Sequence, residues 1–250
     1  MHDISPRAAE QAFLFWNKNY NIISFSDYLK ARKNKQKLPP KSLILTFDDG
    51  HKGNYKLLPL IEQFKIPVTI FLCSSIAGTN RRFWFLNKNI DADRLKEIPD
   101  DDRLERLKQS GFEQKKEYPD RQALSTDEIE DMKKSPFIDF QSHTKFHPVL
   151  TRCSAEKTVD EIDGSKKELE EKFRLSINGF AYPNGNYDDH IVKIVKQSGY
   201  TYALTTNAGY NSLKTDLFML RRFSVNDSEN IDEIVVKTSG AWGMMKRVFL

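Results

Sequence analysis

Leu43-Ile44-Leu45-Thr46-Phe47-Asp48-Asp49-Gly50 runs from an apolar strand straight into two adjacent carboxylates. Such neighbours are costly, because like charges this close raise one another's pKa. A site that needs one carboxylate as a metal ligand and another as a base accepts that cost. Further on, Phe137-Ile138-Asp139-Phe140 leads into Ser142-His143-Thr144-Lys145-Phe146-His147-Pro148, which supplies two histidines four positions apart. Asp, His and His are the ligand set of an open catalytic zinc site, with one position left for water.

Working outward, the rest of the chain repeats a strand-then-helix order. Strands are expected at 42–47, 67–73, 137–142, 177–182, 200–206 and 218–225, and helices at 54–64, 155–174 and 188–198. β-Branched and aromatic runs alternating with longer amphipathic segments argue for parallel βα units. Active sites of such folds sit at the C-terminal ends of the strands, where Asp48, Asp49 and His143 all fall. Ahead of this core, residues 6–17 carry a helical pattern, 21–25 read as a short strand, and Ser26 is expected to cap a helix through Lys30. The tract from Lys33 to Pro40 is a solvated connector that its prolines keep out of helix and strand.

Residues 80–125 break the rhythm. Arg94 to Gln109 is highly charged with few apolar residues, and Ser125-Thr126-Asp127-Glu128 is a capping-box start for the next helix. The region reads as a helical insertion over the barrel mouth, solvated in the first reading and a substrate-selecting lid in the second. Phe83, Trp84 and Phe85 are expected to anchor it, with sugar stacking as their second reading.

At 250 residues, 39% hydrophobic and 30% charged, the chain can bury one α/β core, and the reading is one domain over 1–250. A net charge of +4, dispersed among acidic residues, offers no stripe for nucleic acid. Of the two cysteines, Cys73 follows an apolar run and reads as a buried small hydrophobe, so no disulfide framework is expected. No stretch approaches the roughly 20 apolar residues that span a bilayer. Met1 to Pro6 lacks the basic and apolar regions of a secretory signal, which predicts a cytoplasmic protein; a trimmed native N-terminus would make secretion the reading. The segment 241–250 mixes aromatic, apolar and basic residues. A packed terminal helix is its first reading and peripheral membrane contact its second.

Pro148 pushes His147 out of helical geometry, so the two histidines belong to a loop or single turn and not to an H-E-x-x-H helix. Adjacent strand residues face opposite ways, so the chain must twist for Asp48 and Asp49 to reach one site. Gly50 offers that freedom. The residues alone leave the roles of the two aspartates open.

Three segments, Thr46 to Gly50, Ser142 to Pro148 and Phe180-Ala181-Tyr182-Pro183-Asn184-Gly185, resemble the polysaccharide deacetylase family, carbohydrate esterase family 4 or NodB homology domain. The resemblance covers nearly the whole chain outside the insertion. It implies a distorted (β/α) barrel of seven strands. It implies that Asp49, His143 and His147 hold a divalent metal, zinc ahead of others, and that Asp48 is the general base. The backbone N–H of Asn184 would help hold the oxyanion. The substrate implied is an N-acetylated glycan or glycolipid, which loses acetate and keeps a free amine.

Two departures from the family pattern bear on the chemistry. Many members have arginine two positions before the third-motif proline, where this chain has Ala181. Many also have a late Leu-x-His whose histidine protonates the leaving amine, where this chain has Leu220-Arg221-Arg222. Arg222 is the candidate to pair with Asp48 and restore the arginine from another strand; its alternative is a surface or ion-paired residue. Arginine cannot be the acid, because it keeps its proton. Protonated Asp48 and His51 are the two candidates for that role. Tyr182 reads as core packing and Asp188-Asp189 as a helix start. O-deacetylation of a polysaccharide, and glycan binding without catalysis, are the alternatives to N-deacetylation.

Overall fold

One stretch of chain, 42–47, serves two sheets in the computed structural model, which describes residues 3–225 and 230–240. Its first half, β2 (Ser42–Leu43), pairs in parallel with β1 (Asn21–Ile22). Its second half, β3 (Leu45–Phe47), opens a five-stranded parallel sheet with β4 (Val68–Leu72), β5 (Ile138–Ser142), β6 (Gly179–Ala181) and β7 (Tyr202–Leu204), in that order. All five residues of β4 are buried, as expected of a central parallel strand covered on both faces. The register aligns Phe47 with Ile70 and Leu72 with Ser142, so the strands stop near one level.

The expected architecture is present as an open (β/α) barrel, with a correction to its strand count. Seven strands occur among the described residues, but as sheets of two and five and not as one seven-stranded barrel. The strand expected at 218–225 is a short 3-10 turn at Leu217–Met219 followed by a single parallel bridge from Leu220 to Leu204. The reason is local. Asp216 accepts from the N–H of Phe218 and starts the turn, and the amide of Asn211 takes both backbone groups of Arg221.

The first helix, Pro6–Asn19, has Ser5 as N-cap and proline at its first position, and it buries Ala8, Ala9, Ala12, Phe13 and Trp16. Trp16 spends its indole N–H on the Thr238 hydroxyl at 3.0 Å, which ties the first helix to Ile231–Thr238. The next helix is capped by Ser24, not Ser26, and runs Phe25–Lys33. Helix Asp189–Gln197 starts at the cap Asp188, as its acidic pair predicted. The long helix expected at 155–174 is divided: Ala155–Val159, a π-turn at Asp160–Gly164, then Ser165–Phe173.

The insertion contradicts its solvated reading. Helices Ala92–Lys96 and Asp100–Gln109 cover an apolar cluster of Trp84, Leu95, Leu107 and Phe112, closed by Val149 from the barrel side. Its returning end pairs with the loop after Asp48-Asp49, through an antiparallel bridge between His51 and Ala123 and the Leu124 N–H donating to the Gly50 carbonyl at 2.8 Å. No helix among the described residues is long and apolar enough to cross a membrane. The segment 241–250, with its expected terminal helix or membrane contact, lies outside the described residues.

Gly50 is the sharpest constraint on this fold. It has φ +69°, and an added Cβ would lie 2.4 Å from Cδ2 of Leu72. Gly50→Ala is therefore expected to lose about 2 kcal/mol or more, from left-handed backbone strain plus overpacking. Urea unfolding of the two proteins checks this, and an unchanged midpoint would show that the loop relaxes freely.

Candidate active site

The two aspartates reach one cavity because the chain turns left-handed directly after β3. Asp49 itself adopts φ 71° and Gly50 follows at 69°, so the glycine shares the turn with a non-glycine residue. Such conformations cost L-residues energy and persist where the surroundings hold them. Asp49 is 1% exposed and Asp48 8%.

His143 follows β5 at the same edge of the sheet. Its Nδ1 lies 2.8 Å from the carbonyl of Ala181, an atom that can only accept, so Nδ1 carries the proton and Nε2 is the free nitrogen. That Nε2 is 3.5 Å from Oδ1 of Asp49. His147 sits on a turn, as Pro148 predicted, with φ 56°, and its Nε2 is also 3.5 Å from Oδ1 of Asp49. Burial pushes the His147 imidazole down to about 3, which leaves it neutral. The three ligand atoms lie within 4.8 Å of one another and all three residues are buried. Two imidazole nitrogens and one carboxylate oxygen at this spacing fit a divalent metal such as zinc.

Arg222 comes from beyond the edge of the sheet and grips Asp48 with both prongs, at 2.8 Å and 2.7 Å. Its Nε donates to the Thr205 carbonyl at 2.9 Å, which fixes the plane of the guanidinium. Burial alone would raise the Asp48 carboxyl; the charge and hydrogen bonds of Arg222 outweigh it and hold the group well below the usual carboxylate range. Arg222 is thus ion-paired with Asp48 and is not a free surface residue.

Asp48, Asp49, His143 and His147 face a cavity of about 680 Å³. Its walls include His51, Phe85, Leu86, Tyr182 and Asn184. His51 stands with Nε2 3.5 Å from Oδ2 of Asp49 and its ring 5.0 Å from Phe83. Asn184 follows Pro183 with φ 55°. Tyr182 is fully buried, with its ring 5.0 Å from that of Tyr187, so its packing role holds while its edge meets the cavity. Trp84 and Phe83 are buried anchors of the insertion, whereas Phe85 approaches His147 at 4.6 Å.

Sequence reasoning did not single out Glu161, Asp100 or Arg103, which are buried behind the histidine loop. Glu161 accepts from the N–H groups of Lys145 and Phe146, each at 2.9 Å, and burial pushes its carboxyl up to about 7. One signal was available. Gly164-Ser165 in mid-helix is a usual trace of a local break. A Cβ on Gly164 would meet Asp160 at 2.9 Å and the Lys145 side chain at 3.3 Å.

Known proteins are similar to this chain. A poly-beta-1,6-N-acetyl-D-glucosamine N-deacetylase of Staphylococcus aureus (strain MSSA476) is 21% identical over 223 residues, covering 85% of this chain and 64% of its own length. The chain spans less than two thirds of the length of the curated relatives it matches. Among solved structures, the deacetylase PplD of Streptococcus pyogenes, in complex with acetate, superposes with a TM-score of 0.69 at 19% identity, covering 95% of this chain and 88% of that one. IcaB from Ammonifex degensii gives 0.64 at 19% identity, with coverages of 94% and 88%. At these identities the superpositions speak for the fold. The family model for polysaccharide deacetylases matches residues 35–203, which takes in the Asp48-Asp49 and His143–His147 loops and the Pro183 segment, and the chain belongs to that family.

Proposed function

We propose that this protein is a metal-dependent hydrolase that removes N-acetyl groups from amino sugars of a cell-surface polysaccharide or its lipid-linked precursor. The observation that carries the reading is the convergence of Asp49, His143, His147 and Asp48 on one cavity, with Asp48 ion-paired to Arg222. The amino-sugar substrate is supported by the similarity to the staphylococcal N-deacetylase.

Asp49, His143 and His147 would hold the metal, with zinc the best match to the donor set. When bound, such a metal supplies Lewis acidity toward a water and a carbonyl oxygen. Asp48 takes the proton of the attacking water. Arg222 keeps that carboxylate ionised and aimed, and its own proton stays in place throughout. The backbone N–H of Asn184 donates to the oxygen that gains charge as the carbonyl becomes tetrahedral. The proton then returns to the departing nitrogen from Asp48, with His51 on the cavity wall the second candidate for the step. The products are acetate and a free amine on the sugar.

A second reading, O-deacetylation, is favoured by one observation: Arg222 stands where the late histidine of many relatives would be. An ester's alkoxide leaves with less help from an acid than an amine does. Acetate release from paired N-acetylated and O-acetylated glycans, with zinc-loaded and chelated protein, separates the readings. Metal-dependent release from amino sugars is the expected result. Release from esters alone would transfer the assignment to an O-acetyl esterase. Glycan binding with no release from either set would leave a binding protein on a deacetylase scaffold.

A further inference from the structure

We propose that Trp84 and Glu161 are positioning residues that lock the 143–148 loop in its ligating shape, so that the 80–125 insertion buttresses the metal centre from outside the barrel. The inference rests on the reading of Asp49, His143 and His147 as metal ligands.

The loop needs holding. Thr144 has φ 67° and His147 φ 56°, and neither is glycine. Left-handed backbone costs an L-residue about 1–2 kcal/mol at each position. The barrel supplies some restraint: the His143 N–H donates to the Leu72 carbonyl at 2.8 Å, and the carbonyls of Thr144 and Lys145 accept from Ser74 and Ser75 at 3.0 Å and 3.2 Å. The His147 N–H is taken within the loop by the Thr144 hydroxyl at 3.0 Å.

The remaining bonds come from outside the barrel. A single oxygen of Glu161 takes the N–H groups of Lys145 and Phe146. On the other side, the indole N–H of Trp84 donates to the carbonyl of His147 at 2.8 Å. Both contacts act on the second histidine or the two residues before it, and neither Trp84 nor Glu161 lines the cavity.

These two clamps form one frame. The Arg103 guanidinium lies 4.4 Å over the Trp84 ring, where charge and ring face attract. Arg103 is ion-paired with Asp100, and Asp100 is also paired with Lys157, one helical turn before Glu161. Asp100 and Arg103 are 3% and 1% exposed, so water does not screen the pair. Insertion and π-turn helix are thereby joined behind the histidines. Glu161 lies in the π-turn itself, a helix irregularity that recurs at functional sites.

The experiment measures divalent-metal affinity by chelator competition, with Tm alongside, for the wild type, Trp84→Phe, Glu161→Ala and Glu161→Gln. The absorption spectrum of cobalt-substituted protein reports ligand geometry independently of turnover. Trp84→Phe keeps a buried ring and loses only the N–H donor, while Glu161→Gln keeps an acceptor oxygen. The expected result is about 10–100-fold weaker metal binding and an altered cobalt spectrum for Trp84→Phe and Glu161→Ala, the size usual for outer-shell partners. Glu161→Gln should stay near wild type. Wild-type affinity and spectrum in Trp84→Phe, with only Tm lowered, would reduce these residues to packing and overturn the proposal. If the wild type itself binds no metal, the metal reading fails first, and that outcome is visible before any variant is compared.

Discussion

A His143→Gln variant is expected to fold and yet lose its metal on desalting, with acetate release falling together with metal content. The size of the loss follows from what the imidazole does. Its Nδ1–H is spent on the Ala181 carbonyl at 2.8 Å, which turns Nε2 toward Asp49. Glutamine fills similar volume but offers an amide oxygen, a weaker partner for zinc than imidazole nitrogen. Losing an outer-shell partner alone costs about 10–100-fold in metal affinity, so losing a ligand should cost at least about 100-fold. His143 is 2% exposed, and glutamine keeps hydrogen-bonding capacity in place of a void. Bound metal measured by mass spectrometry, with unfolding followed by circular dichroism, separates ligand loss from misfolding. A folded variant that retains one metal per chain would remove His143 from the ligand set.

How much of this site could be read in advance depended on whether its parts lie within one segment. Asp48, Asp49, His143 and His147 each follow an apolar strand, and parallel strands bring their C-terminal ends to one edge whatever the loops do. Arg222 was legible by a different route. A buried carboxylate needs a partner, the family's usual arginine position holds Ala181 here, and Arg222 lay within the strand expected at 218–225.

The strand itself was misread. Leu217 to Phe223 has the apolar content of a strand, but strand formation also needs a neighbour with free backbone groups. Here the Asn211 side chain satisfies Arg221, and the Asn207 carbonyl accepts from the Arg222 N–H at 3.0 Å. Arg222 therefore arrives on irregular chain, held by side-chain and loop contacts that no periodicity encodes. The insertion was harder still. Trp84, Leu95, Leu107 and Phe112 build a shared cluster from positions separated by up to 28 residues, and charged Arg103 is buried among them because Asp100 neutralises it. A window of sequence registers only the charge there. Glu161 was hidden for the same reason, since a glutamate on a charged helix reads as solvated until its two N–H partners are known.

The other large effect is expected at Asp48. Asp48→Asn should lower kcat by about 10²–10⁴-fold, the range attributed to a positioned general base, while metal content stays at the wild-type level. Metal should stay because the proposed ligands are Asp49, His143 and His147, with Asp48 turned instead to Arg222. The substitution also removes the negative partner of a largely buried guanidinium, and breaking such pairs is destabilising by roughly 3–5 kcal/mol. Asparagine's carbonyl can still accept from one prong, and Arg222 keeps its bond to Thr205, so the loss should fall toward the lower end. Arg222→Lys divides the two contributions. Lysine preserves charge near Asp48 but cannot reproduce the two-pronged grip, so kcat should fall less than in Asp48→Asn. Single-turnover acetate release by metal-loaded wild type and both variants measures this directly. If metal-loaded Asp48→Asn turns over at a rate within about threefold of wild type, below the lower bound for a base, the water proton goes elsewhere. His51 would then be the group to test.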